Sequence, residues 1–385
     1  MGIPKSVFDG VVRHLYVIVV SLSLFFHVFN KVELFSGVKL FYIPALMSVP
    51  LSLYISKRKT KFFSLTIIFI LVTFISALTV FSGAVISTFI SFALVVLGTY
   101  GLRYVDLNQL LYVNKWLIPL VLIILLAEYW GELVYRFQGY YNDPNYLCTT
   151  LLVYLYILLS LIRKSKRMLS KIFYFAEVLL LLMLVFLTIS RTGVLCVFLV
   201  VIVSLFHVIK KNPFISLGII TLFLLFSINT FISVFEEQTS IFQQRLEKGD
   251  NLSSASDLRK ELSLQGVKYV MSEPFRLFLG IGIGETGNEE AIPNRKDFHR
   301  DHNTITSCLT EQGIIAFIFY ALILWQIWID LYRENEISNS KKLLKQTLFL
   351  VLGLFSISIW QMTYLPYWWL LFLLSNKCEQ IYVNK

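Results

Sequence analysis

Apolar runs alternate with short polar stretches along most of this chain. Many of the runs are about 20 residues long and carry few or no charges, which is typical of helices that cross a lipid bilayer. We therefore predict an all-α polytopic membrane protein, with residues 1–385 forming a single integral membrane domain. The twelve predicted transmembrane helices lie near residues 11–30, 40–56, 62–81, 84–102, 117–134, 146–162, 172–189, 194–209, 213–234, 313–332, 345–361 and 363–375.

The alternation stops once, over a polar segment of about 75 residues between Glu236 and Gln312. This segment is rich in Arg, Lys, Glu and Asp, and Asp301-His302-Asn303 lies near its end. In a membrane protein, one large polar segment on a rigid helical scaffold is a natural place for chemistry. Residues 235–312 are therefore predicted to form one large loop that carries functional residues.

The basic residues gather in short loops between the predicted helices. The chain has a formal net charge of +10, with basic clusters at residues 57–61, 163–171, 210–211 and 333–345. With twelve transmembrane helices and a cytoplasmic N-terminus, all four clusters lie in the cytoplasm, as the positive-inside rule requires. Both termini are then cytoplasmic, and residues 235–312 are extracytoplasmic. Because the loops account for the positive charge, we expect no nucleic-acid partner.

The first apolar run and the cysteines have plain structural interpretations. The run from about Val11 to Asn30 continues into further apolar runs and lacks a small-residue cleavage site, so it predicts a first transmembrane helix rather than a signal peptide. The four cysteines, at positions 148, 196, 308 and 378, are scattered in or beside apolar runs. Their spacing does not match a metal site, and we interpret them as packing residues.

A short external turn between the fifth and sixth predicted helices contains Arg136, Asn142, Asp143, Pro144 and Asn145. Asn, Asp and Pro favour a turn, and Asn145 is placed to cap the helix that follows. A plain turn with a helix cap is one complete interpretation. The alternative is that Arg136 also contacts an anion at the membrane surface.

Ser190-Arg191-Thr192-Gly193 joins two apolar runs almost directly. Arg191 is then held at a helix end close to the hydrocarbon, where a charge is costly unless it is paired or reaches the interface. One interpretation is an interfacial arginine that contacts lipid phosphate. The other is a fixed cation for a phosphate-bearing ligand, because the planar guanidinium donates two parallel hydrogen bonds.

The large loop contains two recognisable elements. Residues 257–271 have mixed helical periodicity and predict an amphipathic helix on the bilayer surface, which Pro274 ends. Arg259 lies near its start, either as a solvated charge or as part of a site. The glycines of residues 278–284 are weak evidence for nucleotide binding and favour a close-packed turn instead.

His302 lies just before the tenth predicted helix, at its external end. Histidine takes or gives a proton near neutral pH, so His302 is a candidate general base, with Glu311 and Asp301 as alternatives. His299 raises the possibility of a metal site, but further ligands lack a recognisable spacing. A hydrogen-bonded loop histidine is the remaining interpretation.

Taken together and in order, these motifs resemble the O-antigen polymerase and O-antigen ligase superfamily of membrane glycosyltransferases. The resemblance rests on Arg136–Asn145, Ser190-Arg191, Arg259, Pro274–Gly284, His302-Asn303 and Gly313-Ile314, and covers roughly residues 130–330. The sequence departs from the family at two places. Pro274 lies six residues before Gly280, a longer gap than usual, and Ala316 stands where glycine is frequent. Neither departure removes a candidate catalytic group.

The resemblance implies a GT-C-like fold and sugar transfer at the outer face of the cytoplasmic membrane. The implied donor is an oligosaccharide on polyprenyl (undecaprenyl-type) diphosphate, and the implied acceptor is a hydroxyl of a second lipid-linked repeat unit. Arg191 and Arg259 are expected to stabilise the diphosphate leaving group, and His302 to act as the general base. The residues expected to bind substrate are Arg136, Asn142, Asn145, Asn303 and Glu311.

Clustered cations can replace a divalent metal at a diphosphate, so we expect neither a metal nor another cofactor. The implied product is a capsular polysaccharide, an exopolysaccharide or an O-antigen, and the implied partners besides the bilayer are a flippase and a chain-length regulator. One alternative is a ligase of the same superfamily, which hands finished glycan to another acceptor. The other is a transporter or flippase of lipid-linked saccharide, although the chain lacks the internal repeat that many transporters show.

Overall fold

The computed structural model describes residues 5–35, 38–56, 60–131, 137–141, 143–188, 190–211, 261, 263–288, 291–292, 303–333 and 339–376. Over these residues the chain is almost entirely helical, with one short antiparallel pair of strands, β1 (Glu33–Phe35) and β2 (Val38–Lys39). The helices are α1 (Lys5–His27), α2 (Tyr42–Ile55), α3 (Lys61–Val80), α4 (Gly83–Tyr100), α5 (Leu107–Gly131), α6 (Pro144–Lys164), α7 (Met168–Leu187), α8 (Arg191–Lys211), α9 (Pro274–Leu279), α10 (Thr304–Tyr332), α11 (Asn339–Ser358) and α12 (Leu365–Leu374).

Seven of the described helices, namely α1, α3, α4, α5, α6, α7 and α10, are long and apolar enough to cross a membrane. Shorter apolar helical segments cover Tyr42–Ile55, Thr192–Ser204 and Leu365–Leu374. The chain is therefore a multi-pass membrane protein whose described residues are mostly helical, as the hydrophobic pattern predicted. Of the twelve predicted transmembrane helices, all but the one at 213–234 overlap a described helix, and that one lies outside the described residues. The count of twelve stays a prediction.

Large exposed side chains on α5 match the dimensions of a bilayer. Tyr112 and Trp116 are 61% and 65% exposed near one end of the helix, and Trp130 is 70% exposed at the other. Trp130 lies 18 positions after Tyr112, which corresponds to roughly 27 Å of helix, close to the thickness of the hydrocarbon core. Aromatic side chains at both membrane–water boundaries are typical of transmembrane helices.

Two helices begin earlier than the hydropathy predicted. α5 begins at Leu107 rather than at 117, because Leu107, Leu110 and Leu111 form a buried stripe in an otherwise polar first turn. α10 begins at Thr304 rather than at Gly313, and its polar residues before Gly313 are mostly buried. Hydropathy undervalues the start of α10, because its polar side chains pack inside the protein instead of facing water. It undervalues the start of α5 because polar residues separate the buried leucines.

α6 and α12 lie at the centre of the bundle. All ten residues of α12 are buried, including Trp368 and Trp369, and most of α6 is buried as well. Helices that are apolar all round belong in the interior of a bundle. Because both helices begin at the same end, their first turns bring polar loops together there.

The two ends of the bundle differ in the residues they present. The basic end is where α6 and α10 finish and α5 and α11 begin. There Arg103 is 0% exposed and forms an ion pair with Asp330 at 2.9 Å. Its guanidinium also donates to the Ser375 hydroxyl at 3.0 Å and lies 3.6 Å from the ring centroid of Phe62. The opposite end, where α6, α8 and α10 begin, holds a hydrogen-bonded polar network, and we call it the network end.

Candidate active site at the network end

The first turn of α6 begins with Asp143-Pro144-Asn145. Asp143 is the N-cap, because its carboxylate accepts a hydrogen bond from the backbone N–H of Asn145 at 2.7 Å, and Pro144 takes the first helical position. The expectation that Asn145 itself caps this helix was therefore wrong. Its side chain is instead 8% exposed and accepts a hydrogen bond from the Ser190 hydroxyl at 2.5 Å.

The junction of α7 and α8 packs directly against α6. α7 ends at Leu187 and α8 begins at Arg191, so the predicted close connection of the two helices is confirmed. The Ser190 hydroxyl also accepts a hydrogen bond from the Gly193 backbone N–H at 3.0 Å. A Cβ atom at Gly193 would overlap the Sγ atom of Cys148 on α6. This glycine lets the start of α8, and with it Arg191, approach the Asn145 turn.

α10 is interrupted at Gly313, where the backbone leaves helical geometry with φ of 81° and ψ of 174°. The interruption faces a second one at Gly280, the residue after α9, where φ is 75°. A Cβ atom at either glycine would overlap the backbone of the opposite segment, Glu311 for Gly280 and Phe278 for Gly313. The predicted close-packed turn of residues 278–284 is therefore present, and it packs against the break in α10.

Backbone groups freed by the break find partners in this turn and in α3. The N–H groups of Ile281 and Gly282 donate to the carbonyls of Thr310 and Glu311 at 3.0 and 2.8 Å. The Ser76 hydroxyl of α3 donates to the same Glu311 carbonyl at 2.9 Å. Irregular backbone inside a membrane protein is tolerated only where such partners exist, so these contacts stabilise the break.

The Glu311 carboxylate lies beside the break and is fully buried. The Thr286 hydroxyl donates to one carboxylate oxygen at 2.5 Å, and the Trp360 indole N–H donates to the other at 3.0 Å. A buried carboxylate requires such donors, because its desolvation is costly. Glu311 thus links the large loop, α10 and the segment between α11 and α12.

The same segment connects to the starts of α10 and α6. The Thr304 hydroxyl donates to the Ile359 carbonyl at 2.5 Å and accepts from the Gln361 N–H at 2.9 Å. The Tyr146 hydroxyl donates to the Trp360 carbonyl at 2.6 Å. The first turns of α6 and α10 therefore lie together around residues 359–361, although they are distant in sequence. The start of α8 joins them through the contact of Ser190 with Asn145.

A chain of buried hydroxyl groups extends this network to α1. The Tyr364 and Thr150 hydroxyls are 2.6 Å apart, Thr150 and Tyr141 are 2.9 Å apart, and the Tyr141 hydroxyl lies 3.3 Å from Nδ1 of His27. Sequence reasoning missed His27, Tyr141 and Tyr364. Their positions as polar residues beside apolar runs were the available signal. Local sequence patterns, however, do not show which of these residues hydrogen-bond to one another.

Gln361 is a second missed residue at this end. Its side chain is fully buried, and neither the amide oxygen nor the amide nitrogen has a hydrogen-bond partner among the residues that the structure describes. An unsatisfied buried amide is costly and therefore needs an explanation. The Trp360-Gln361 pair could have been noticed as polar groups that interrupt two apolar runs.

Several predicted site residues lie outside the described part of the chain. These are Arg136, Asn142, Arg259, Asp301 and His302, and of Arg191 only the backbone, in the first turn of α8, is described. Asn303 is described: it is the N-cap of α10, and its side-chain oxygen accepts from the backbone N–H groups of Ile305 and Thr306 at 2.9 and 3.3 Å. His302 therefore directly precedes a fixed helix start.

The large loop also contributes an arginine that sequence reasoning did not single out. Residues 263–272 are helical, as predicted for part of residues 257–271, while the position of this helix on the bilayer stays a prediction. Val270 is buried in a small apolar cluster with Ile281 and Ile292. Arg276 in α9 forms an ion pair with Glu273 at 2.6 Å and lies 4.8 Å from the ring centroid of Tyr269.

Three of the four cysteines lie in the described part of the chain. Cys148, Cys196 and Cys308 are buried free thiols, as expected of packing residues, while Cys378 lies outside the described residues. Within the described part of the chain, His, Cys, Asp and Glu form no group of three that could hold a metal ion.

Comparison with known proteins adds one finding. The O-antigen ligase family matches residues 176–321, which include the α7–α8 junction, the large loop and the first half of α10. No curated protein matches the chain. Asn145 and Trp360 lie outside the matched segment but contact it through Ser190 and Glu311. The family resemblance seen in the sequence is thereby confirmed over residues 176–321, where the chain is similar to the O-antigen ligase family.

Proposed function

We propose that the protein is a polysaccharide polymerase, which transfers glycan from polyprenyl diphosphate to a hydroxyl of a second lipid-linked repeat unit. The reaction takes place at the network end, on the outer face of the cytoplasmic membrane. The observation that carries this proposal is the meeting of the Asn145 turn, the Ser190-Arg191 junction and the Asn303 cap at one end of the bundle. These are motifs on which the superfamily resemblance rests.

In the proposed reaction the acceptor oxygen attacks the anomeric carbon of the donor, and the bond from that carbon to the diphosphate oxygen breaks. The leaving diphosphate takes the electron pair, and its growing negative charge is stabilised by Arg191 and Arg259, with Arg136 in support. His302 removes the proton of the acceptor hydroxyl. Asn142, Asn145 and Asn303 bind the saccharide or orient His302. The reaction needs no metal, because the arginines carry the charge.

The burial of Glu311 favours a positioning role for this carboxylate. Both its oxygens accept hydrogen bonds inside the protein, from Thr286 and Trp360. In this role Glu311 holds the described part of the large loop against α10, the helix that follows His302 in sequence. The unsatisfied amide of Gln361 supports a contact with a saccharide hydroxyl, since hydroxyl groups are both donors and acceptors.

The test uses cells that lack the native protein and are complemented with wild type, Arg191→Ala or His302→Ala at matched membrane levels. Wild type is expected to restore long polymer. Each variant is expected to accumulate single lipid-linked repeats on the outer face, because general-base and charge-stabilising groups contribute about 10²–10⁴-fold to rate. Lys166→Ala, at the basic end, is the matched control and is expected to polymerise normally.

A ligase of the same superfamily is the second candidate, and the matched family is described as O-antigen ligase. The same cells distinguish the two. Loss of a ligase leaves long polymer on the lipid carrier and removes it from the final acceptor, whereas loss of a polymerase leaves single repeats. Single repeats stranded on the inner face would instead indicate a flippase and contradict both transfer reactions.

A further inference from the structure

The buried hydroxyl groups of the network end begin at His27, the last residue of α1. The His27 side chain is buried, and the centroid of its ring lies 4.5 Å from that of Phe41 and 4.8 Å from that of Tyr364. These aromatic contacts fix the orientation of the imidazole, whose Nδ1 atom lies 3.3 Å from the Tyr141 hydroxyl. The proposed reaction gives this histidine no role. We call the side chains of His27, Tyr141, Thr150 and Tyr364 the His27 chain.

The protons of the His27 chain have one consistent arrangement, which the far end of the chain fixes. The Tyr364 hydroxyl donates to the Tyr146 carbonyl, because a carbonyl oxygen has no proton to give. The proton between the Tyr364 and Thr150 hydroxyls, 2.6 Å apart, must then come from Thr150. A longer contact of Thr150 with the same carbonyl, at 3.3 Å, uses the same Thr150 proton. Tyr141 therefore donates to Thr150 at 2.9 Å.

This count determines which ring nitrogen of His27 carries the proton. Because the proton of Tyr141 is used at Thr150, the Tyr141 oxygen can only accept from the imidazole. The Nδ1 atom of His27 is therefore protonated and donates to Tyr141. The hydrogen bond that a histidine makes sets its tautomer in this way.

The His27 chain ends at two residues that the proposed function assigns to the saccharide. Tyr146, whose carbonyl accepts the last proton, directly follows Asn145 in the first turn of α6. Tyr364 is the N-cap residue of α12 and donates its backbone N–H to the Gln361 carbonyl at 3.0 Å. Hydrogen bonds in series orient and strengthen one another. The donor on His27 thus fixes three hydroxyl groups and, with them, the relative position of Asn145 and Gln361.

We propose that His27 is a positioning residue for saccharide binding, which acts through the three hydroxyl groups of its chain and does not touch the substrate. The inference rests on the proposed function, because it takes Asn145 and Gln361 as saccharide contacts. A purely structural histidine would contribute to stability and leave saccharide affinity unchanged. A positioning histidine lowers that affinity when its Nδ1–H donor is lost, even where the protein stays folded.

The test compares three substitutions of His27 in the purified full-length protein. In His27→Asn the amide nitrogen is bonded to Cγ, as Nδ1 is in histidine, so a donor stays near the same place. His27→Gln moves the amide one bond further out, and His27→Leu has no donor. The measured quantities are the Kd for a polyprenyl-diphosphate-linked repeat unit and the kcat for its transfer in lipid vesicles.

His27→Asn is expected to keep the Kd within about threefold of wild type, whereas the glutamine and leucine variants lose about tenfold, the effect of one hydrogen bond. The kcat of all three is expected to stay within about threefold of wild type, because none of them removes a group that reacts. Thermal unfolding in detergent is recorded for each variant, and the Kd is expressed per folded molecule.

Two further variants serve as controls. His14→Leu alters an exposed histidine of the same helix and is expected to bind like wild type. Tyr141→Phe removes the next hydroxyl group of the chain and is expected to repeat the loss seen in His27→Leu. The double variant is expected to bind no more weakly than either single variant, because both changes break the same chain.

The proton on Nδ1 is tested separately by solid-state ¹⁵N NMR of the five histidines, with the His27 signal identified by its absence in His27→Asn. A proton on Nε2 alone would overturn the proposal, as would equal Kd values for the asparagine and leucine variants. If the His27 variants do not fold, wild-type NMR and Tyr141→Phe still test it. Wild type that binds the repeat unit without transferring it contradicts the proposed function, while the Kd values still decide the role of His27. Absence of binding to wild type would overturn both.

Discussion

Helix α10 carries a carboxylate near each end, and the two are held in different ways. At the basic end, Asp330 lies on a continuous stretch of helix and pairs with Arg103 at 2.9 Å, with a further hydrogen bond from Gln326 at 3.2 Å. At the network end, Glu311 lies beside the backbone break at Gly313 and accepts from the Thr286 hydroxyl and the Trp360 indole.

The two carboxylates therefore have different roles: Asp330 stabilises the fold, whereas Glu311 positions the large loop against α10. The Arg103–Asp330 pair joins α10 to the short 3₁₀ helix after α4, and Asp330 itself lies in regular α-helix. The Glu311 network joins α10, the large loop and the segment after α11 across two strained glycines. Strained backbone persists where the surrounding structure fixes it, and it concentrates at functional sites. We therefore expect changes at the basic end to affect stability alone, and changes at the network end to affect activity more than stability.

Replacing Asp330 with alanine is expected to lower the free energy of unfolding by about 4 kcal/mol, because Arg103 would remain buried without its acidic partner. Thermal unfolding in detergent measures the loss. Polymer formed per molecule of folded protein is expected to stay within twofold of wild type. A severe loss of specific activity with unchanged stability would contradict the proposal that the basic end serves stability and the network end serves activity.

Gly313→Ala is expected to lower the free energy of unfolding by about 3 kcal/mol, since alanine is strained at a φ of 81° and its Cβ atom would overlap the Phe278 backbone. Polymerisation is expected to be lost as well, because the loop can no longer pack against the break. Gly353→Ala is the matched control: a Cβ atom added there would meet no atom within 4 Å, and α11 should gain slightly in stability. Equal stability of the two variants would contradict a close-packed break.

Glu311→Gln is expected to cost about 2 kcal/mol of stability, because one of the two donors at the carboxylate would face an amide N–H instead of an oxygen. The specific activity should fall at least tenfold, since the loop that carries His302 is less well held. The measurement that tests this role is the kcat for polymer formation at saturating lipid-linked substrate. A normal kcat together with reduced stability would show that Glu311 has a purely structural role.

Gln361→Met should change stability least, by about 1 kcal/mol and in the stabilising direction, because it removes an unsatisfied buried amide while conserving volume. Activity is nevertheless expected to fall, with the larger effect on KM for the acceptor if Gln361 contacts saccharide. Gln326→Met, near the basic end of α10, serves as the control. A Gln361→Met enzyme with wild-type KM and kcat would exclude Gln361 from the site.

The sequence predicted most helix positions but few of the contacts that build the site. Long apolar runs revealed helices such as α3 and α7 to within a few residues, because burial in lipid or protein requires them. The start of α10 at Thr304 was missed, since its polar side chains are buried against other polar groups. The contact of Tyr146 with Trp360 joins residues 214 positions apart, and local periodicity carries no information about such pairing.

A reconstituted transfer assay decides whether the network end catalyses glycan transfer. The purified protein in lipid vesicles is supplied with a polyprenyl-diphosphate-linked repeat unit, and both polymer and released polyprenyl diphosphate are quantified, with and without a metal chelator. We expect one polyprenyl diphosphate released for each glycosidic bond formed, no effect of the chelator, and a loss of at least about 100-fold in His302→Ala. Polymer formation at the wild-type rate by His302→Ala, or no release of polyprenyl diphosphate by wild type, would contradict the proposed reaction.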